Sequence, residues 1–520
     1  MRCLLLLALA APLASAADPA SLDPRGLPGP LVVAGGGKLS ADAREAFFAL
    51  AGKGKAKIVV LAADAKDGAA ALKVWNDLKP ATAELLVAKN RKQADDPQFA
   101  AALAEASGVW FAGGPADALT KLYRGTATEK AVAKLHARGG AIGGATPALA
   151  ELVLTGGPGP ITDAPGFGLL PGFALNYCSD AREGWKPLAK GIADRPKVVG
   201  LAVGEGSAFV VKGRVARVIG DAPITVCVAK GAGKPAANDE YKAGSLLDLC
   251  QLQRAAFNRA ALEPFPPAKP PVPEVKKGAL MIVGGGGSTP EMWKRFIELS
   301  GGPDATIVVV TTAMEDPLAP ESGEEKILKR SGAKNVVALH TRDRKEADDP
   351  KFSEVLTKAG GVWFSGGRQW RFVDSYEGTL TAKRFHEVLA RGGAIGGSSA
   401  GASIQSEYMP RGHPLGNTVM AAEGYERGFG FLPGVAVDQH FFARKRTADM
   451  TGLMKQYPQY LGIGLDEATA IVVQGHVAEV IGKSKVGFYD TRKKPDGEKD
   501  YEEVFPNGKY DLKARKAIKE

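Results

Sequence analysis

Short apolar runs that end in glycine recur along this chain, separated by longer stretches rich in alanine, lysine and glutamate. Leu31-Val-Val-Ala-Gly35 opens one series and Leu280-Met-Ile-Val-Gly284 opens a second. Ile58–Leu61 and Ile307–Val310 come next, and the second series continues with Val362-Trp-Phe364 and Gly393-Ala-Ile395. Runs without polar alternation describe strands buried on both faces, and the stretches between them predict helices. The expected fold is therefore α/β, a mostly parallel sheet flanked by helices, with chemistry gathered at the carboxyl ends of the strands.

The two series are copies. Arg91–Phe99 matches Arg344–Phe352, Gly108–Gly114 matches Gly361–Gly367, and Arg138–Gly144 recurs unchanged as Arg391–Gly397, all at an offset of 253 residues. Phe167–Gly172 then matches Phe429–Gly434 at an offset of 262, so the second copy has gained about nine residues just after Gly397. A period this long means duplicated domains rather than a solenoid. Between the copies, Glu263-Pro-Phe-Pro-Pro-Ala-Lys-Pro-Pro-Val-Pro273 reads as a stiff linker. The expected division is a leader at 1–16, a first domain at 17–261, a linker at 262–277 and a second domain at 278–520.

Composition narrows the class. A chain of 520 residues with 45% hydrophobic and 24% charged residues suits two soluble domains. The net charge of +10 is dispersed among acids, with no basic arm, so a nucleic-acid partner is not expected. Arg2, the apolar run Cys3–Leu13 and Ala14-Ser15-Ala16 read as a cleavable export signal, which predicts a periplasmic or extracellular protein. No later segment is apolar and long enough to span a membrane. Cys178, Cys227 and Cys250 would remain after cleavage; export permits a Cys227–Cys250 disulfide, but the odd count favours buried thiols. The histidines show no metal-binding spacing, and Gly284–Gly287 lacks a nucleotide-loop pattern. No metal and no organic cofactor are expected.

The chemistry concentrates in the second copy. Gly397-Ser-Ser-Ala-Gly401 is a G-x-S-x-G elbow, in which small neighbours let Ser399 stand exposed on a strained strand-to-helix turn. A serine nucleophile needs a base and an orienting acid. His440, after the apolar approach to Val437-Asp-Gln, and the acids of Gly462-Ile-Gly-Leu-Asp-Glu467 supply candidates. The order Ser, His, acid differs from that of the α/β-hydrolases and argues for another fold using the same chemistry.

Gly-Gly-Ser-Ser-Ala-Gly-Ala402, Asp438-Gln-His-Phe-x-x-Arg-x-Arg446, Gly464-Leu-Asp-Glu467 and Ser365-Gly-Gly-Arg-Gln369 together resemble the cyanophycinase and aspartyl dipeptidase family of serine peptidases. The resemblance covers roughly residues 278 to 482. It implies two tandem domains of the class I glutamine-amidotransferase-like (flavodoxin-like) type. It also implies Ser399 as nucleophile, His440 as base, Glu467 as orienting acid, with adjacent Asp466 chemically able to take its place. Gly367 and Ala400 would supply the oxyanion N–H groups, and Gln369, Asp438, Gln439, Arg444 and Arg446 would line the substrate pocket. The implied substrate is a peptide cut next to an aspartyl residue, with cyanophycin, the polyaspartate–arginine polymer, as one such partner. One position departs from the family pattern: where a third arginine would follow Arg446, this chain has Asp449.

In the first copy the same offsets set Thr146 opposite Ser399, Cys178 opposite His440, Asn176 opposite Asp438 and Ala116 opposite Gln369, with only Glu205 surviving opposite Glu467. Pro147 also removes an oxyanion donor. The first copy is thus expected to be a pseudo-enzyme packed on the second as an internal pseudo-dimer. The competing reading is a secreted, non-catalytic scaffold of two such domains. A glutaminase on this fold would want cysteine at the elbow, and the second copy has none.

Overall fold

The computed structural model describes residues 19–519 except 156–161, 179–183, 232, 262 and 493–498. The expected leader, residues 1–16, lies outside the described residues.

Each copy builds a large sheet whose middle is parallel. In the second copy the parallel strands run in the order Asn335–Leu339, Thr306–Val310, Gly361–Phe364, Ala394–Ser398 and Val275–Val283. Thr469–Gly475 then joins antiparallel to Val275–Val283, followed by Val477–Gly482, Lys509–Asp511 and Lys516–Ile518. The first copy repeats the plan with Thr82–Val87, Lys57–Ala62, Gly108–Phe111, Ala141–Gly144 and Leu31–Ala34, and three antiparallel strands beyond.

Alternation along the central strands explains why both faces are apolar. Leu280 and Ile282 enter one hydrophobic cluster, with Phe364, Phe385 and Ile395, while Met281 and Val283 enter another, with Trp293, Phe296 and Trp363. In the first copy Leu31 and Val33 divide from Val32 and Ala34 in the same way. A second, smaller sheet in each copy carries the remaining site segments. In the second copy it holds Ser406–Tyr408, Leu432–Asp438 and Leu461–Leu465 in parallel, with Val486–Tyr489 and Glu502–Val504 antiparallel beyond.

The register repeats as well: Asp438 pairs with Gly464, and Asn176 pairs with Ala202. Residues 263–274 have no regular structure, but Val275, expected in the linker, already begins the central strand. The linker is not free of the second copy, since Phe265 stacks on Tyr408 at 6.2 Å and Arg427 lies over its ring at 4.5 Å. Cys250 is a free, buried thiol, so no Cys227–Cys250 disulfide forms.

Candidate active site

Three strand ends meet at the glycine run that follows Val283. The Ser399 N–H donates to the carbonyl of Val283 at 3.1 Å, the His440 N–H to that of Gly284 at 2.7 Å, and the Ala468 N–H to that of Gly285 at 2.8 Å. Consecutive carbonyls thus rack the serine, the histidine and the residue after Glu467. Gly285 and Gly286 lie at φ 96° and 67°. A Cβ on Gly285 would overlap the His440 ring, and one on Gly286 would stand 2.5 Å from Glu467 Cβ. Sequence alone had marked this run as a plain strand-end turn. Its signal is the lack of atoms, which becomes visible only once the neighbours are in place.

Ser399 occupies a strained backbone, φ 56° and ψ −109°. The flanking glycines are required: a Cβ at Gly397 would overlap the Gly401 carbonyl, and one at Gly401 would overlap that of Phe364. On this elbow the Ser399 hydroxyl donates to His440 Nε2 at 3.0 Å, and His440 Nδ1–H donates to Glu467 Oε1 at 2.6 Å. The carboxylate only accepts, which assigns that tautomer. Asp466 turns away, accepting from the Ala443 N–H at 2.8 Å and from the Ser484 hydroxyl at 2.7 Å. It holds the chain that follows His440 and leaves Glu467 as the imidazole's partner. Burial holds the His440 pKa below its ordinary value, Glu467 opposes the shift, and Arg444 and Arg446 add to it. The imidazole is therefore a neutral acceptor at neutral pH.

The Gly366-Gly367 turn leans on the elbow, where a Cβ at Gly366 would stand 3.7 Å from Ser399 Cβ. Gly367 lies at φ 133°, and among the described residues neither its N–H nor that of Ala400 donates to a backbone carbonyl. Two such amides beside a nucleophile suit an oxyanion.

The other expected pocket residues divide sharply. Asp438 is fully buried, accepting from Arg411 Nε at 3.0 and 3.1 Å, from Arg446 Nη1 at 3.1 Å and from the Gln439 N–H at 3.0 Å. Arg446 also donates to the Gln439 carbonyl at 2.7 Å, and Gln369 donates to the carbonyls of Pro410 and Arg411. These side chains frame the pocket through internal bonds. Arg444, by contrast, is exposed. Arg411 was not singled out from the sequence. It sits at φ 58°, buried, and its Nη2 donates to Asp449 at 2.6 Å. Asp449 is therefore no unpaired anion in the pocket but the outer partner of a buried guanidinium.

In the first copy Thr146 has φ −143° and ψ 134°, and its hydroxyl accepts from the Ala148 N–H at 3.3 Å. A residue before proline is pushed to such extended angles, so no elbow forms. Here the strand Leu170–Cys178 runs on where its counterpart stops at Asp438. As a result the side chain facing Gly36, the match of Gly285, is Tyr177, with its buried hydroxyl beside the backbone of Thr146. Tyr177 thus approaches the glycine that matches Gly285, while the Cys178 side chain, expected opposite His440, lies outside the described residues.

Residues 280–481 match the family model described as Peptidase family S51. A cyanophycinase of Geminocystis herdmanii (strain PCC 6308) is 31% identical over 220 residues, 41% of this chain and 81% of its own length. One of Synechococcus elongatus is 30% identical over 222 residues, 42% of this chain and 69% of its own. Among solved structures, a peptidase from an acI-B1 Actinobacterium shares 23% identity with a TM-score of 0.35, covering 45% of this chain and 97% of its own. The chain belongs to the serine peptidases of family S51.

Proposed function

We propose that the second copy hydrolyses aspartyl or β-aspartyl peptide bonds through an acyl-enzyme formed on Ser399. The observation that carries this reading is the single imidazole of His440 bonded at once to Ser399 Oγ and Glu467 Oε1. Ser399 Oγ attacks the scissile carbonyl carbon while His440 Nε2 takes its proton. The N–H groups of Gly367 and Ala400 receive the oxyanion, and the carbon–nitrogen bond breaks as His440 protonates the departing amine. Water, deprotonated by the same nitrogen, then attacks the ester carbonyl carbon, and His440 returns that proton to Ser399 Oγ as the carbon–oxygen bond breaks and the acid leaves.

The preference for an acidic residue is supported by the exposed Arg444, close enough to His440 to depress its pKa. A solvated guanidinium near the imidazole suits a carboxylate. The leader sequence around Arg2 and Ala14-Ser15-Ala16 supports export, which an N-terminus at Ala17 in the mature protein would check.

A panel of α- and β-aspartyl dipeptides with cyanophycin, set against neutral and basic dipeptides, tests the specificity. Release of free amine from aspartyl substrates by the wild type, lost in Ser399→Ala, is the expected result. Equal cleavage of neutral peptides would refute the aspartyl preference, and cleavage of no peptide would refute the reaction.

A further inference from the structure

Contacts between the copies include Arg25 with Asp343 and a denser set around one segment of the second copy. Arg214, buried in the first copy against Asp248, extends Nη1 to Asp374 at 2.5 Å and Nη2 to the Tyr425 hydroxyl at 2.6 Å. Tyr425 in turn donates to Asp374 at 2.6 Å. From the helix Leu249–Ala260, Arg254 donates to the Gly424 carbonyl at 2.8 Å and to Glu377 at 2.5 Å. One turn on, Arg259 grips Glu423 with both Nε and Nη2, at 2.7 and 2.9 Å. Lys234 completes the row on Glu426 at 3.0 Å. Four cations of the first copy therefore converge on residues 423–426.

That segment ends the stretch in which the second copy gained residues after its elbow. It also leads straight to the site. The Glu426 carbonyl accepts from the Met409 N–H at 2.7 Å, and the carbonyls of Pro410 and Arg411 accept from Gln369. Arg411 then holds Asp438, two residues before His440. The path from the first copy to the pocket begins in charge-assisted bonds, passes through hydrogen bonds to the carbonyls of Glu426, Pro410 and Arg411, and ends in the buried Arg411–Asp438 pair, where a slip would leave a charge unpaired.

We propose that the catalytically silent copy positions the substrate pocket of the active one, with Arg254 and Arg259 acting as positioning residues on the 409–427 segment. This role rests on the hydrolase reading for its kinetic readout but not for its structural one. It also gives the ruined copy a reason to be retained: having lost Ser, His and elbow, it serves through the helix Leu249–Ala260.

The test uses the full chain with Arg254→Ala/Arg259→Ala and, as a control, Arg195→Ala, whose partner Asp163 lies within the first copy. Amide hydrogen exchange of 409–427 is expected to quicken at least about tenfold in the double variant while the central strands stay protected. For aspartyl substrates KM is expected to rise about tenfold to a hundredfold with a smaller change in kcat, because misplacement of binding groups acts first on substrate orientation. The charge exchange Arg259→Glu/Glu423→Arg should recover most of what Arg259→Glu loses, which keeps the test open if the alanine variant fails to fold. Unchanged exchange at 409–427 in a folded double variant would overturn the proposal. So would faster exchange with unchanged KM, or no recovery in the charge exchange. If no variant or wild type hydrolyses any peptide, the hydrolase reading fails while the exchange result still judges the clamp.

Discussion

Ser399 and Thr146 hold the same place in the two copies, yet the serine stands at φ 56° and the threonine at φ −143°. The difference is built into the neighbours. Gly397 and Gly401 permit the close approaches of an elbow, whereas Pro147 and the β-branched Thr146 favour extended backbone.

Restoring the serine and its following backbone N–H should therefore restore nothing. In a Ser399→Ala background, Thr146→Ser with Pro147→Ala is expected to show no hydrolysis above buffer, since Cys178 rather than a histidine stands opposite His440 in the sequence. Amine release over long incubation measures this.

The glycine rack makes a graded prediction. Gly286→Ala drives a Cβ into Glu467, and Gly285→Ala drives one into His440, so each should lower kcat by about 10²-fold or more. Gly287 has φ 101° but nothing within 4 Å of an added Cβ. Gly287→Ala should thus lose some stability to backbone strain and keep its kcat. Thermal melting beside steady-state kinetics separates the two effects.

The pH profile tests the electrostatics. Because His440 must be neutral to accept the Ser399 proton, the acidic limb of kcat/KM should lie below the ordinary histidine value of about 6.5. Arg444→Ala removes a charge that depresses that pKa, so its limb moves to higher pH. Glu467→Gln removes contributions that raise it, so its limb moves lower, and kcat falls by about 10²- to 10⁴-fold.

Arg411→Met leaves Asp438 buried with Arg446 as its remaining guanidinium. A cost of about 3 kcal/mol is expected from breaking such a buried pair. Burial already raises the Asp438 pKa, and losing Arg411 raises it further. A raised carboxyl pKa disfavours the folded state above it, so the deficit against wild type should shrink as pH falls through that value. Urea midpoints across pH report this.

The alternation of apolar runs and the internal repeat made the parallel sheets legible, because a buried strand needs unbroken apolar residues and a copied one announces itself. The elbow was legible for the same reason: its glycines have fixed spacing. Arg411 was not, since it lies at positive φ in a segment without a counterpart in the first copy, and its value comes from Asp438, far along the chain. The approach of Tyr177 to Gly36 was hidden by strand geometry, in which neighbouring strand residues take opposite faces. Gln369, Asp438 and Arg446 read as pocket residues through the family resemblance, and only their bonds to the Pro410 and Arg411 carbonyls and to one another and their neighbours reveal how little of them is left for a ligand.

One copy armed and one silent is a statement about stoichiometry, and intact mass after treatment with a serine-directed phosphonate measures it. The expected result is a single adduct per chain, mapped to Ser399 by peptide fragmentation and absent in Ser399→Ala. No adduct, a second adduct in the first copy, or undiminished labelling of Ser399→Ala would contradict it.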